Sequence, residues 1–358
     1  MNPTEISTEQ GSHTLSEILS QPQTWRQSLA KLSSSAELQK AARMSRTGAE
    51  WLFVGCGTSY YLAISAASAF NALGLPARAV PASEILLYPS LSLAPGRDCI
   101  PVVISRSGRT SEAVRAAQQL EQKHNLRSIA ITCAAGEQLE KACSLTLKLL
   151  DADEQSMVMT RSFTSMLLGL QYLGATICGN VPFQRALTEL PAQAAPLFER
   201  YPQQLQAFVA ANSFEDCIFL AQGPLFGIAS ECMLKVTEAS CTYAQIFHSL
   251  EFRHGPKAVV GPATLLTFLV SESSYEAEIE LAEEMKALGG VIMIVANRLD
   301  ERARKCADFA IELGLTAPEY ARPAAYTIWG QLFGVYTGMK KGLNPDSPKN
   351  LSRVVVLD

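Results

Sequence analysis

The stretch Val103–Val114, VISRSGRTSEAV, ends one kind of structure and begins another. Upstream, CIPVVIS (99–105) is an unbroken apolar run without a charge, the pattern of a strand buried on both faces. Downstream, the chain turns into a helical period. Between them lie Ser105, Arg106, Ser107, Gly108, Arg109 and Thr110. A strand, a polar loop and a helix in that order make the repeating unit of a parallel α/β sheet. In such a sheet the loop sits at the carboxyl end of the strand, where a helix start leaves backbone N–H groups free.

The same grammar continues on both sides. EWLFVGCG (50–57) reads as a strand and SYYLAISAASAFNALG (59–74) as a helix ended by Gly74. Further strands are expected at ARAVP (77–81), RSIAIT (127–132) and SLTLKLL (144–150). Continuous apolar strands predict an α/β fold of the doubly wound type, with a parallel sheet covered on both faces. The pattern then starts again. DCIFLAQGPLFGIASECMLKV echoes EWLFVGCGTSYYLAISAASAF, and two landmarks share one offset: 223 − 57 = 166 for Gly57 and Gly223, and 271 − 105 = 166 for Ser105 and Ser271. The expected organisation is a helical arm (1–45), a first domain (46–185), connecting helices (186–213), a second domain related by duplication (214–345) and a terminal tail (346–358). Thr14 and Glu17 in the arm have the spacing of a helix capping box.

Composition narrows the function classes. The 358 residues exceed one ordinary core, and 48% hydrophobic with 18% charged residues suits a compact enzyme. Net charge is −4 without a dense Lys/Arg run, which argues against nucleic acid as a partner. No apolar segment reaches the ~18 residues of a membrane span, and MNPTEISTEQGSH lacks a leader pattern, so a cytoplasmic location is expected. Nine cysteines, an odd number without C-x-x-C, read as reduced core thiols and not as a metal site. Only four histidines, His13, His124, His248 and His254, are available for imidazole chemistry.

The loops suggest the ligand. Ser105, Ser107 and Thr110 offer hydroxyls beside a helix start, and Gly108 permits close backbone approach, a set that suits a phosphate monoester. An ordinary Ser/Thr-capped turn is the alternative reading. G-x-x-x-x-G-K-[ST] does not occur, and GCGTSY lacks the third glycine of a dinucleotide loop. Gly55 and Gly57 bracket a turn that brings Ser59 beside Ser105 if the two strands are neighbours, and two hydroxyl loops in one crevice favour a phosphosugar. Glu231, Lys235 and Glu238 share one helix face. They are either a carboxylate base with its cation or a surface salt-bridge ladder. His254, between Arg253 and Gly255–Pro256, is an unusual core residue and reads as a site residue.

In order, VGCGTSYY, ISRSGRTSE, VMTRSFTSML, ECMLKVTEAS, EFRHGPKAVV and NPDSPKNLSRVVV resemble the landmarks of double sugar-isomerase (SIS) domain proteins over essentially the whole chain after residue 46. The chain is similar to the isomerase half of glucosamine-6-phosphate synthase and, closer still, to the tagatose-6-phosphate ketose/aldose isomerase and amino-sugar-phosphate deaminase group. The resemblance implies flavodoxin-like SIS domains. It also implies that Ser105, Arg106, Ser107 and Thr110 cradle a 6-phosphate, that Ser59 contacts the sugar and that Ser352 and Arg353 lie in a tail over the site. Glu238 would shuttle the proton between C1 and C2, with Lys235 near the sugar and His254 assisting ring opening. In the synthase relatives that histidine comes from the neighbouring subunit, which implies a homodimer with shared sites.

Departures matter too. Arg353 stands where the synthases carry an imine-forming lysine, and arginine cannot form that imine. Arg106 and Arg109 replace a glutamine and a glutamate, and Met159 replaces a serine. No glutaminase activity is expected of this chain, since residue 2 is Asn2 and not a cysteine. The reading is a phosphosugar aldose/ketose isomerase that deaminates an amino-sugar 6-phosphate of the glucosamine or galactosamine type, without metal or cofactor. The alternatives are a non-catalytic phosphosugar-binding regulator and a deglycase of phosphorylated fructosamines.

Overall fold

A computed structural model describes residues 11–93 and 96–357; Asn2 lies outside them. Strands β1 (Glu50–Gly55), β2 (Ala77–Pro81), β3 (Cys99–Ile104), β4 (Ile129–Thr132) and β5 (Leu145–Lys148) form a parallel sheet in the order β2-β1-β3-β4-β5. Strands β6 (Asp216–Ala221), β7 (Tyr243–His248), β8 (Thr264–Val270), β9 (Val291–Ala296) and β10 (Phe309–Glu312) form a second parallel sheet. Its order, β7-β6-β8-β9-β10, repeats the first. The duplication is therefore structural. β1 and β6 begin 216 − 50 = 166 residues apart, and β3 and β8 end 270 − 104 = 166 apart.

The chain divides into two compact units. One holds β1–β5, with residues 20–154 and 159–191 and the described residues from 352 onward; the other holds β6–β10, with residues 155–158 and 192–351 and the described residues 11–19. Within the first unit, β1 and β3 pair directly, so the loop before Ser59 and the loop after Ile104 leave neighbouring strands at the same edge. β3 and β8 are buried at every position and β1 at every position after Glu50, as their continuous apolar runs require.

The arm is helical over Ser12–Leu19, Gln21–Ser33 and Ala36–Ala42, but Thr14 and Glu17 do not form the expected capping box. Tertiary partners take both groups. The Thr14 backbone N–H and hydroxyl donate to Asp346 at 2.8 and 2.6 Å, and the Glu17 carboxylate accepts from the Ser156 N–H at 3.1 Å.

In the second unit, helix Phe226–Ser240 lies against helix Pro323–Lys340 along a seam of glycines four residues apart. A Cβ added at Gly330 would stand 2.3 Å from the Cys232 Cβ, and one at Gly338 would stand 2.2 Å from the Ala239 carbonyl oxygen. Gly338→Ala gains ~1 kcal/mol of helix propensity but must push the paired backbones away from each other, which costs ~1–3 kcal/mol. A net loss of stability in urea unfolding is the expected result; unchanged or raised stability would show that the seam has slack.

Candidate functional site

In the first unit the loop after β3 is built around hydroxyls. Ser105 is buried, and its Oγ lies 3.2 Å from the Thr110 Oγ1. Thr110 is the N-cap of helix Ser111–Gln122, yet its side chain makes no cap bond, because the hydroxyl faces Ser105 instead. Gly108 has φ +64°, and a Cβ there would also meet the Glu137 Cβ at 2.9 Å. Ser107 is half-buried and accepts from the Arg109 N–H at 3.2 Å. Ser59, in the first turn of helix Thr58–Ala72, is buried 4.0 Å from the Met159 sulfur. Sequence reading thus located Ser59, Ser105, Ser107 and Thr110 at the carboxyl edge of adjacent strands.

Arg106 has a different neighbourhood. Its guanidinium is 5% exposed and donates to the fully buried Glu154 carboxylate at 3.0 Å and to the Arg353 carbonyl at 2.9 Å. Glu154 also accepts from the Thr160 N–H and hydroxyl at 3.0 and 2.9 Å. Arg353 in turn donates to Asp153 at 2.9 Å and to the Glu154 carbonyl. Farther along the tail, the Val355 carbonyl accepts from the Ser111 N–H at 3.2 Å, and the Leu357 N–H donates to the Ser111 hydroxyl at 2.9 Å. The tail is therefore fastened onto the hydroxyl loop. Ser352 is exposed and bonds within the tail, to the Val354 carbonyl at 3.0 Å. Arg109, about half exposed and 3.9 Å from Glu137, is the loop's outward cation.

In the second unit, Glu231, Lys235 and Glu238 form a continuous ionic ladder. Lys235 is 2% exposed, its Nζ lies 3.3 Å from the Glu231 carboxylate and it is bonded directly to Glu238. Burial pulls the Lys235 pKa down, but the two carboxylates outweigh it and hold the ammonium above its ordinary value. Glu231 is fully buried, whereas Glu238 is 19% exposed and is the end of the ladder that reaches a pocket of about 180 Å³. Such burial excludes the surface-ladder reading. Cys241, Asn344 and Lys349 line the same pocket and were not singled out from sequence; only their nearness to the Glu238 and NPDSPK motifs hinted at them. The glycine seam was not read from the sequence either, although Gly330, Gly334 and Gly338 recur every four residues.

His254 is exposed, at the end of a short 3₁₀ turn after β7. Its neighbour Arg253 is held by Glu284 at 2.7 Å. Phe252 is buried with Ile218, Leu220, Leu266, Phe268 and Ile279, which fixes this turn on one face of the second sheet. The Glu238 helix joins β6 to β7, while helix Tyr275–Ala287 joins β8 to β9 in the opposite direction across the sheet. Right-handed crossovers put those two helices on opposite faces. The sheet therefore separates His254 from the Glu238 of its own chain.

Residues 50–174 match the family model described as SIS domain. This stretch of the chain is a SIS domain. Over 96% of its length the chain superimposes on all of the crystal structure of glucosamine-6-phosphate deaminase from Thermotoga maritima, with a TM-score of 0.75 and 28% identity. It shares its fold with tagatose-6-phosphate ketose/aldose isomerase from Escherichia coli, with a TM-score of 0.84 at 20% identity over 100% of this chain and 98% of that one. In sequence it is 25% identical over 354 residues to a glutamine–fructose-6-phosphate aminotransferase (isomerizing) from Pyrobaculum aerophilum, covering 96% of this chain and 57% of that protein. The chain spans a little over half the length of the curated relatives it matches. The second sheet repeats the topology of the SIS domain, so the fold is two tandem units of that kind.

The buried Arg106–Glu154 pair gives a direct test of how the loop is held. Glu154→Ala leaves a buried guanidinium without its counter-charge and frees the Thr160 donors. A loss of ~3–5 kcal/mol in denaturant unfolding is expected, and a loss under ~1 kcal/mol would show that water or another group replaces the carboxylate.

Proposed function

We propose that the chain is a phosphosugar aldose/ketose isomerase which deaminates an amino-sugar 6-phosphate. The observation that carries this reading is Glu238, one end of a buried carboxylate–ammonium–carboxylate ladder that opens onto a sugar-sized pocket. A carboxylate positioned by a lysine ammonium can accept the C2 proton of an open-chain sugar and return it to C1. With an amino group on C2 the product of that transfer is a ketimine. Water then adds at C2, ammonia leaves and the ketose 6-phosphate remains. The relatives' names, a glucosamine-6-phosphate deaminase and an isomerizing aminotransferase of fructose 6-phosphate, supply the substrate class.

In this reading the phosphate sits against the Ser105, Ser107 and Thr110 hydroxyls, with Ser59 toward the sugar. Arg106 and Arg353 shape that seat through Glu154 and the tail. Fixed phosphate binding positions the reacting carbons, which is how remote binding lowers a proton-transfer barrier. Lys235 holds Glu238 in place. His254 assists ring opening from a second copy of the chain, since within one chain the sheet stands between it and Glu238. A homodimer with reciprocal sites is the arrangement that follows.

Glu238→Gln keeps size and hydrogen bonding while removing the base. Phosphosugar binding is expected to survive and kcat to fall by ~10² or more. Wild-type turnover in this variant would transfer the role to another group.

Mixing tests the shared site. Glu238→Gln and His254→Asn proteins, each inactive alone, are combined in equal amounts after reversible dissociation. Random pairing makes half the dimers mixed, and each mixed dimer has one intact site, so activity should recover to roughly one quarter of wild type. Recovery near zero, with mixed dimers verified by mass, would put both groups in one chain's site.

A further inference from the structure

The two halves treat their loops differently at one position. In the first half, Ser105 at the end of β3 faces the N-cap Thr110, Oγ to Oγ1, at 3.2 Å. In the second half, Ser271 at the end of β8 faces the N-cap Ser274, Oγ to Oγ, at 2.5 Å. The same hydroxyl pair is therefore built twice. The helices that follow start at Ser111 and Tyr275, 275 − 111 = 164 residues apart, so the second loop is two residues shorter than the strand offset of 166 would give.

Fourth in each helix, at the same offset of 278 − 114 = 164, stand Val114 and Glu278. Helical side chains lean toward the N-terminus, so this position looks back into the loop. Val114 is buried and apolar, and offers the loop nothing. Glu278 is 0% exposed and turns its carboxylate onto the loop's own donors. It accepts from the Ser271 N–H at 3.1 Å, the Ser274 hydroxyl at 2.7 Å and the Ser249 hydroxyl at 2.5 Å.

We propose that Glu278 is a resident anion: its carboxylate fills, in the second half, the seat that the first half leaves open for a ligand phosphate. Charge-assisted bonds from hydroxyl and N–H groups to an oxyanion are what either occupant needs. Burial pushes the Glu278 carboxyl up to about 6, with the three hydrogen bonds opposing that shift and Glu319 adding to it, so it is mostly ionised at neutral pH. Ser271 also lines a cavity of about 700 Å³ whose other walls include Glu272, Glu276 and Asp300. A phosphate approaching there meets a filled seat and three more carboxylates, offset by Arg298 and Arg322. Glu278 thus acts as a specificity-determining residue, directing the phosphate of the substrate to one crevice per chain. The proposal rests on reading the Ser105–Thr110 loop as the phosphate seat.

Inorganic phosphate, measured by equilibrium dialysis, is the probe. Wild type should bind one phosphate per chain through the first loop and lose it in Ser107→Ala/Thr110→Ala. Glu278→Val, which installs the residue of the first half, should bind two per chain, and one should persist when it is combined with Ser107→Ala/Thr110→Ala. The reciprocal Val114→Glu should abolish binding in an otherwise wild-type chain. A folded Glu278→Val chain that binds no additional phosphate overturns the proposal. Wild type without phosphate, together with a site gained in Glu278→Val, would instead sink the reading of the first loop and leave the resident anion standing. If Glu278→Val folds only with phosphate present, the anion seat is supported; if phosphate does not restore folding, it is not.

Discussion

Parallel strands cannot be joined by tight turns, and that constraint arranges everything else in this chain. Each crossover must return outside the sheet, so every strand-to-helix loop of a unit is delivered to the same edge. With β1 and β3 adjacent, the Ser59 and Ser105 loops become neighbours without any attraction between them. Duplication repeats the edge in the second sheet. What differs between the halves is then chemistry on equivalent scaffolds: a hydroxyl loop before Val114 in one, and a loop occupied by Glu278 in the other.

Among the buried charges, the cations Lys235 and Arg106 are costly, and each meets a carboxylate. Lys235 would lose several kcal/mol on leaving water, but it meets two carboxylates within 3.3 Å. Arg106 meets the Glu154 carboxylate and the Arg353 carbonyl of the tail. Such pairs contribute little net stability compared with apolar packing, yet losing one partner is severe. They restrict geometry. One keeps a carboxylate at the rim of a pocket, and the other binds the tail to the loop that begins with Ser105.

Much of this was legible in the sequence. The strands of the first half, β6 and β8 of the second, the offset of 166 and the carboxyl-edge position of Ser59, Ser105, Ser107 and Thr110 followed from local pattern, because apolar runs and helix starts are local properties. The partner of Arg106 was not legible, since Glu154 is 48 residues away and no periodicity joins them. Thr14 and Glu17 had capping-box spacing but were claimed by Asp346 and Ser156, a choice made by tertiary contact. The face of the sheet that carries His254 required the strand order, which spacing alone does not determine. Glu278 went unnoticed because a glutamate in a first helical turn is common, and its burial is what distinguishes it.

Hydrogen exchange into substrate is the measurement closest to the central claim, that a carboxylate of this chain moves a proton between two carbons of a phosphosugar. Wild-type protein would be incubated in deuterated water with glucosamine, galactosamine and fructose 6-phosphates, following C1 and C2 by NMR and ammonia by a coupled assay. The account predicts deuterium at C2 of a recovered amino sugar and at C1 of the ketose, with ammonia released from the same sugar. Saturable binding of these phosphosugars with no exchange at either carbon would contradict it and make the chain a binder.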